Sequence, residues 1–179
     1  TGSFGKTKVR DNGAAREVYL QLVPGESCLV QVFPFSVKAG DYPLLQTAGD
    51  KTMLQGPWEL TFLKGGPELP QPATMKELKV WNELDGESYK SFSGSATYQT
   101  TFPKPATKAG FYRINLGEVF HSARISLNGK YLQTLIAPPY TVDFPASLLK
   151  KENRLEITVS HGMGNRIAAM ERKGEPYKI

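Results

Sequence analysis

Arg124-Ile-Ser-Leu-Asn-Gly-Lys-Tyr-Leu132 reads as two short strands and the turn between them. Its apolar residues alternate, and Asn128-Gly129 supplies the two positive-φ residues that a type I′ hairpin turn requires. The same period-two pattern extends outward on both sides. Upstream lie Ser95 to Phe102, with Ala96, Tyr98, Thr100 and Phe102 on one side, and Phe111-Tyr-Arg-Ile-Asn-Leu116, with Tyr112, Ile114 and Leu116 inward. Downstream are Tyr140-Thr-Val-Asp-Phe144 and Asn153-Arg-Leu-Glu-Ile-Thr-Val159, the latter turning Leu155, Ile157 and Val159 together into a core. Further upstream, Gly56-Pro-Trp-Glu-Leu-Thr-Phe62 alternates with Trp58, Leu60 and Phe62 on one face, and Lys64-Gly-Gly-Pro67 ends it. Ser147-Leu-Leu-Lys-Lys has room only for a helical turn, and nowhere do apolar residues recur at helical spacing for three turns. The reading is all-β, a sandwich.

The remaining segments carry weaker signals. Glu17-Val-Tyr-Leu-Gln-Leu22 and Ser27-Cys-Leu-Val-Gln-Val-Phe33 read as two strands joined by Val23-Pro-Gly-Glu26, with Pro and Gly placed for a type II turn. Phe35 to Thr52 is an irregular connector. The expected division is therefore a β-hairpin over residues 1–45, attached to a preceding domain, and a sandwich over residues 46–179. Glu68 to Tyr89 reads as a long polar loop with a short strand. Gly162 to Ile179 is a glycine-bearing tail with one apolar patch, Asn165-Arg-Ile-Ala-Ala-Met170.

Bulk properties fit a folded domain. Hydrophobic residues make up 40% and charged residues 22%, which argues against disorder. The net charge of +5 comes from scattered lysines and arginines without an arginine-rich block, so nucleic acid is not expected as a partner. No apolar run approaches the roughly 20 residues of a membrane span, so no membrane association is expected. No charged-then-apolar leader opens the chain, which with Thr1-Gly-Ser at its start bears little on the natural protein. Cys28 is alone and reads as a small buried hydrophobe.

The ordered set Gly56-Pro-Trp58, Phe92-Ser-Gly94 to Tyr98, Leu116-Gly117, Leu127-Asn-Gly-Lys130, Pro138-Pro-Tyr140, Val142-Asp143, Asn153 to Ile157 and Asn165-Arg-Ile167 resembles a known module. That module is the galactose-binding-like jelly roll of glycoside hydrolases, found as the sugar-binding domain of family 2. The set looks most similar to the C-terminal module of family 106 rhamnosidase-like proteins. The resemblance covers about residues 54–179, and residues 17–33 look like the strand pair preceding that module. It implies a jelly-roll sandwich without its own catalytic residues, serving a separate catalytic barrel in the same polypeptide. It also implies an exported parent enzyme and leaves room for a structural calcium ion, with no other cofactor.

Glycoside hydrolysis needs two carboxylates facing each other across a sugar. Asp143 and Glu156 fall between apolar strand neighbours and so point to the outer face. Glu83, Asp85 and Glu87 form the one acidic cluster, which reads as a solvated loop. His121 and His161 stand 40 residues apart without a zinc-ligand pattern. No catalytic and no metal-binding residue is expected. Sugar binding calls for an aromatic face and planar polar side chains. Trp81 and Tyr89, with Asn82 and Glu83, are one candidate set; Tyr140, with Asn165 and Arg166, is the other. Trp81 is open between two roles, sugar platform or cap on the core. Three functions follow: an accessory sandwich of a rhamnosidase-like hydrolase, an independent carbohydrate-binding module, or a protein-interaction and adhesion sandwich.

Overall fold

The computed structural model describes residues 4–22, 25–42 and 44–176. The chain divides into two compact units, residues 1–50 and 51–179.

The first unit holds one antiparallel pair, β1 (Val9–Asp11) and β2 (Arg16–Val18). Asn12 turns the chain between them, its Oδ1 accepting from the backbone N–H of Ala14 (3.1 Å) and Ala15 (2.8 Å). Gln21 grips the backbone of Leu45 through both ends of its amide, at 2.6 Å each. The hairpin therefore lies at 9–18, upstream of the expected 17–33. Val23 and Pro24 of the expected turn lie outside the described residues. Ser27–Phe33 forms no strand, since none of the described residues of the unit pairs with its backbone as a strand. Leu29, Val30 and Val32 stay in solvent, and Cys28 is exposed, not buried as its neighbours suggested.

The second unit is an all-β sandwich. Its strands are β3 (Trp58–Gly66), β4 (Ala73–Met75), β5 (Ser93–Pro103), β6 (Phe111–Asn115), β7 (Ser122–Leu127), β8 (Lys130–Leu135), β9 (Thr141–Pro145) and β10 (Glu152–Ser160). Six of them form one antiparallel sheet in the order β4-β3-β5-β10-β7-β8, and β6 pairs with β9 in a second, smaller sheet. The inner face of the large sheet presents Leu60, Phe62, Ala96, Tyr98, Ile125, Leu127, Leu155 and Ile157; Val142 and Phe144 of β9 join the same buried cluster. Each fully buried Leu or Phe contributes about 1.5–3 kcal/mol relative to exposure. On the outer face, hydroxyls pair across β5 and β10: Ser95 with Ser160 and Thr97 with Thr158, each at 2.9 Å.

Asn128-Gly129 closes the β7–β8 hairpin with φ of 54° and 78°, as the sequence predicts. Asn128 also works as a clamp. Its Oδ1 accepts from the Arg154 N–H (2.9 Å), and its Nδ2 donates to the Leu148 carbonyl (2.8 Å) and to Asn153 Oδ1 (3.0 Å). Asn153, fully buried, accepts from the Lys150 N–H (2.8 Å) and donates to the carbonyls of Lys150 (3.0 Å) and Phe102 (3.4 Å). At the opposite end of β5, Gly65 and Gly94 face each other across β3 and β5 under the Phe92 ring. A Cβ on Gly94 would collide with the Lys64 carbonyl and lie 2.6 Å from the Gly65 Cα.

Among the described residues, two helices and two 3-10 turns complete the unit. The long loop between β4 and β5 is more ordered than expected: a 3-10 turn covers Trp81–Glu83 and α1 covers Glu87–Ser91. The predicted helical turn after β9 is present over Ala146–Leu148. The tail folds into α2 (Gly164–Lys173), whose Ala169 is buried. Gly174 ends it in the left-handed region: its N–H donates to the Glu171 carbonyl (3.1 Å) and that of Glu175 to Met170 (2.9 Å), a Schellman pair. No helix among the described residues is long and apolar enough to cross a membrane.

Candidate functional site

One apolar-walled groove opens at an end of the sandwich, with a volume of about 450 Å³. The stretch Leu78–Glu83 forms one wall, and the connection from β6 to β7, through Leu116, Glu118, Val119 and Phe120, forms the other. Tyr98, Ile157 and Val159 of the large sheet supply the floor, and His161 and Asn165 close the end. Leu78, Val80 and Phe120 remain about half exposed at the rim.

Trp81 is a buried side chain at this groove. It stacks on Tyr98 (ring centres 6.3 Å apart, 20° between planes) and meets Phe62, Phe92 and His161 edge to face. Its indole Nε1 donates to the Phe92 carbonyl at 3.3 Å. At 5% exposure it caps the core, and no face is left free to stack on a pyranose. Burial pushes the Tyr98 phenol well above the ordinary tyrosine value; the Trp81 backbone pulls the other way, and Glu83 adds to the rise.

Of the residues read from sequence as sugar contacts, the structure gathers Trp81, Asn82, Glu83 and Asn165 at the groove and leaves Tyr89, Tyr140 and Arg166 off its lining. Tyr89 packs on Phe62 (5.7 Å between ring centres) and donates its hydroxyl to the Gln71 carbonyl (3.1 Å). Tyr140 donates to the His121 carbonyl (3.2 Å) and so holds the β6–β7 connection. Asn165 Nδ2 donates to the Phe92 carbonyl (3.1 Å), and the Arg166 N–H donates to Ser93 Oγ (3.0 Å), so both pin the start of α2 to β5. Sequence reasoning missed Glu118, Phe120 and His161 as groove residues. They sit in separate connections, and only the closure of the sandwich brings them beside Trp81.

At the end of the groove, the His121 and His161 rings lie parallel, 5.3 Å between centres and 7° between planes. His121 Nδ1 accepts from the Gly162 N–H at 3.3 Å, which places the ring proton of neutral His121 on Nε2. Burial, and then the neighbouring His121, hold His161 below the ordinary histidine value, while contacts with the Phe120 backbone and Asn165 oppose the shift.

Glu83 and Glu118 stand on opposite walls of the groove, and three acids away from it are paired with arginines. Asp143 makes a bidentate ion pair with Arg113 (2.7 Å to each oxygen), Glu156 pairs with Arg154 (2.9 Å), and Glu87 with Arg172 (3.8 Å). Among the described residues, no group of three or more His, Cys, Asp or Glu is placed to hold a metal ion. The donor set that a structural calcium needs, several carboxylate or carbonyl oxygens converging on one point, is thus not gathered from carboxylates there.

No protein-family model matches the chain. A curated relative, the "Putative beta-glucuronidase" of Formosa agariphila, is 34% identical over 112 residues, covering 57% of this chain and 10% of the relative. Among solved structures, a rhamnosidase from Novosphingobium sp. PP1Y superposes with a TM-score of 0.64 and 26% identity, over 78% of this chain and 13% of the enzyme. The β-glucuronidase of Bifidobacterium dentium, complexed with coumarin-3-O-glucuronide, matches with a TM-score of 0.47 and 25% identity over 60% of this chain and 19% of that one. The chain thus spans about a tenth of the length of the curated relative it matches, and its relatives are glycoside hydrolases.

Proposed function

We propose that this chain is a non-catalytic β-sandwich module of a glycoside hydrolase, α-L-rhamnosidase-like, that supports carbohydrate binding by a catalytic domain of the same polypeptide. The observation that carries the reading is the superposition on a rhamnosidase: most of this chain matches a small fraction of a much longer enzyme. Asp143 and Glu156, each paired with an arginine away from the groove, support the non-catalytic part, since a hydrolytic pair must face a sugar. The same reading places the parent protein among exported enzymes. Sequencing the reading frame on both sides of the sandwich tests it. The expected result is an in-frame domain bearing a carboxylate pair; stop codons on both sides, with no such domain, would overturn it.

A second reading, an independent carbohydrate-binding module, rests on the groove. Asn82, Glu83, Glu118 and Asn165 surround apolar walls there, the combination a sugar needs for its hydroxyls and its C–H face. Titration calorimetry with rhamnose-, galactose- and uronate-containing oligosaccharides checks it. Heat with at least one series supports it, and heat with none rules it out.

A further inference from the structure

We propose that the stacked His121–His161 pair is an acid-operated latch that ties the Gly162-Met163 link between β10 and α2, at the end of the groove, to the β6–β7 wall. At neutral pH the tie is made of uncharged parts: parallel rings 5.3 Å apart and the Gly162 N–H donating to His121 Nδ1. A proton arriving on Nδ1 converts that acceptor into a donor, and the Gly162 N–H loses its partner. A proton on the second ring then sets two like charges face to face, and the rings repel.

The surroundings make the pair responsive. Trp81 packs edge-on against His161 and shields one side of it from water. The other charged or titratable groups lining the groove are Lys79 and Glu83 on the wall carrying Trp81, Glu118 on the β6–β7 wall, and the Tyr98 phenol on the floor. From α2 the neighbouring groove residue is Asn165, which carries no charge, and Arg166 follows it; β10 contributes the neutral Ser160. Burial and the facing His121 ring outweigh the Phe120 backbone and Asn165 contacts that favour the charged form of His161, so acid works against the closed arrangement.

The link is free to respond because its other supports lie on either side. The His161 N–H donates to the Gly94 carbonyl (2.8 Å), and the Arg166 N–H donates to Ser93 Oγ (3.0 Å). On the opposite wall, the His121 N–H donates to the Ser160 carbonyl (2.9 Å). None of these bonds titrates near neutrality. Acid therefore releases the Gly162 amide, and the end of the groove widens while α2 stays in place, its N-cap Met163 carbonyl still accepting from the Ile167 N–H (3.0 Å).

Amide hydrogen exchange on the full chain, resolved by residue and corrected for the intrinsic pH effect, tests this at pH 7.5 and pH 5. The Gly162 amide should lose protection at the lower pH, while the His161 and Arg166 amides hold theirs. His121→Phe keeps a ring for stacking and should abolish the pH dependence at Gly162. His161→Gln should weaken it, and the unsubstituted chain decides the matter if either variant fails to fold. Equal protection of Gly162 at both pH values, or a parallel loss at His161 and Arg166, would overturn the proposal. So would pH dependence retained in His121→Phe.

Discussion

Replacing Asn153 by leucine removes four hydrogen bonds from a side chain with no exposed surface. Leucine keeps the branching and the number of side-chain heavy atoms, so most of the cost is polar. Each bond contributes about 1 kcal/mol net, and buried partners left unpaired cost more than that average. Lys150 and Asn128 stand near the surface and recover part of their loss through water, whereas the Phe102 carbonyl is more enclosed. Apolar transfer of the leucine returns about 1 kcal/mol, leaving a net destabilisation of about 2–3 kcal/mol. Both tryptophans, Trp58 and Trp81, belong to the sandwich, so urea unfolding followed by tryptophan fluorescence reports this unit alone. Asn153→Asp sharpens the test. Its second carboxylate oxygen would face the Phe102 and Lys150 carbonyls in place of a donor, raising the aspartate pKa above its unfolded value. Such a variant is most stable at low pH and loses stability as pH rises through about 4 and above. A leucine variant within about 1 kcal/mol of the parent, or an aspartate variant whose deficit does not change with pH, would refute the clamp.

Three further outcomes follow from the packing. Trp81→Phe should cost about 1–2 kcal/mol by urea unfolding, because the Phe92 carbonyl keeps its bond from Asn165 while the larger ring and its N–H are lost. Gly94→Ala should cost about 3 kcal/mol in the same assay, since the new methyl meets the backbone of Lys64 and Gly65, which cannot move aside like a flexible side chain. His161 titrates lower in the folded chain than in the unfolded one, whose value is 6.5. The unfolded state therefore binds the extra proton first. Stability contributed by neutral His161 is complete above that pH and declines as pH falls from there toward the folded value; a series of thermal melts should show the decline, and His161→Asn should flatten it.

The sandwich was legible because its strands alternate strictly and are punctuated by Gly, Pro and Asn-Gly. The Asn128-Gly129 turn left its register little choice, and Trp58, Tyr98 and Phe102 go inward as their spacing requires. Where signals are not periodic, local reading fell short. Ser27–Phe33 alternates like a strand, yet none of the described residues of its unit pairs with it as a strand. α2 is only 10 residues long and its apolar residues are few, so three turns of helical spacing were never visible. The groove was half legible: Trp81, Asn82 and Glu83 share one turn, and Asn165 lies in the tail that closes over them. His121 and His161 are 40 residues apart in sequence and touch only because β10 pairs with β7, a contact that no local motif encodes.

The central claim is that this sandwich serves a glycoside hydrolase on the same polypeptide. Antibodies raised against the chain can capture the native protein from its source, and the captured material can be assayed with chromogenic α-L-rhamnosides and β-D-glucuronides beside the isolated chain. The account predicts a captured polypeptide far larger than 19.8 kDa that releases chromophore from at least one substrate class, while the isolated chain releases none. A captured polypeptide of the isolated chain's own size and without hydrolase activity would contradict it, as would hydrolysis by the isolated chain.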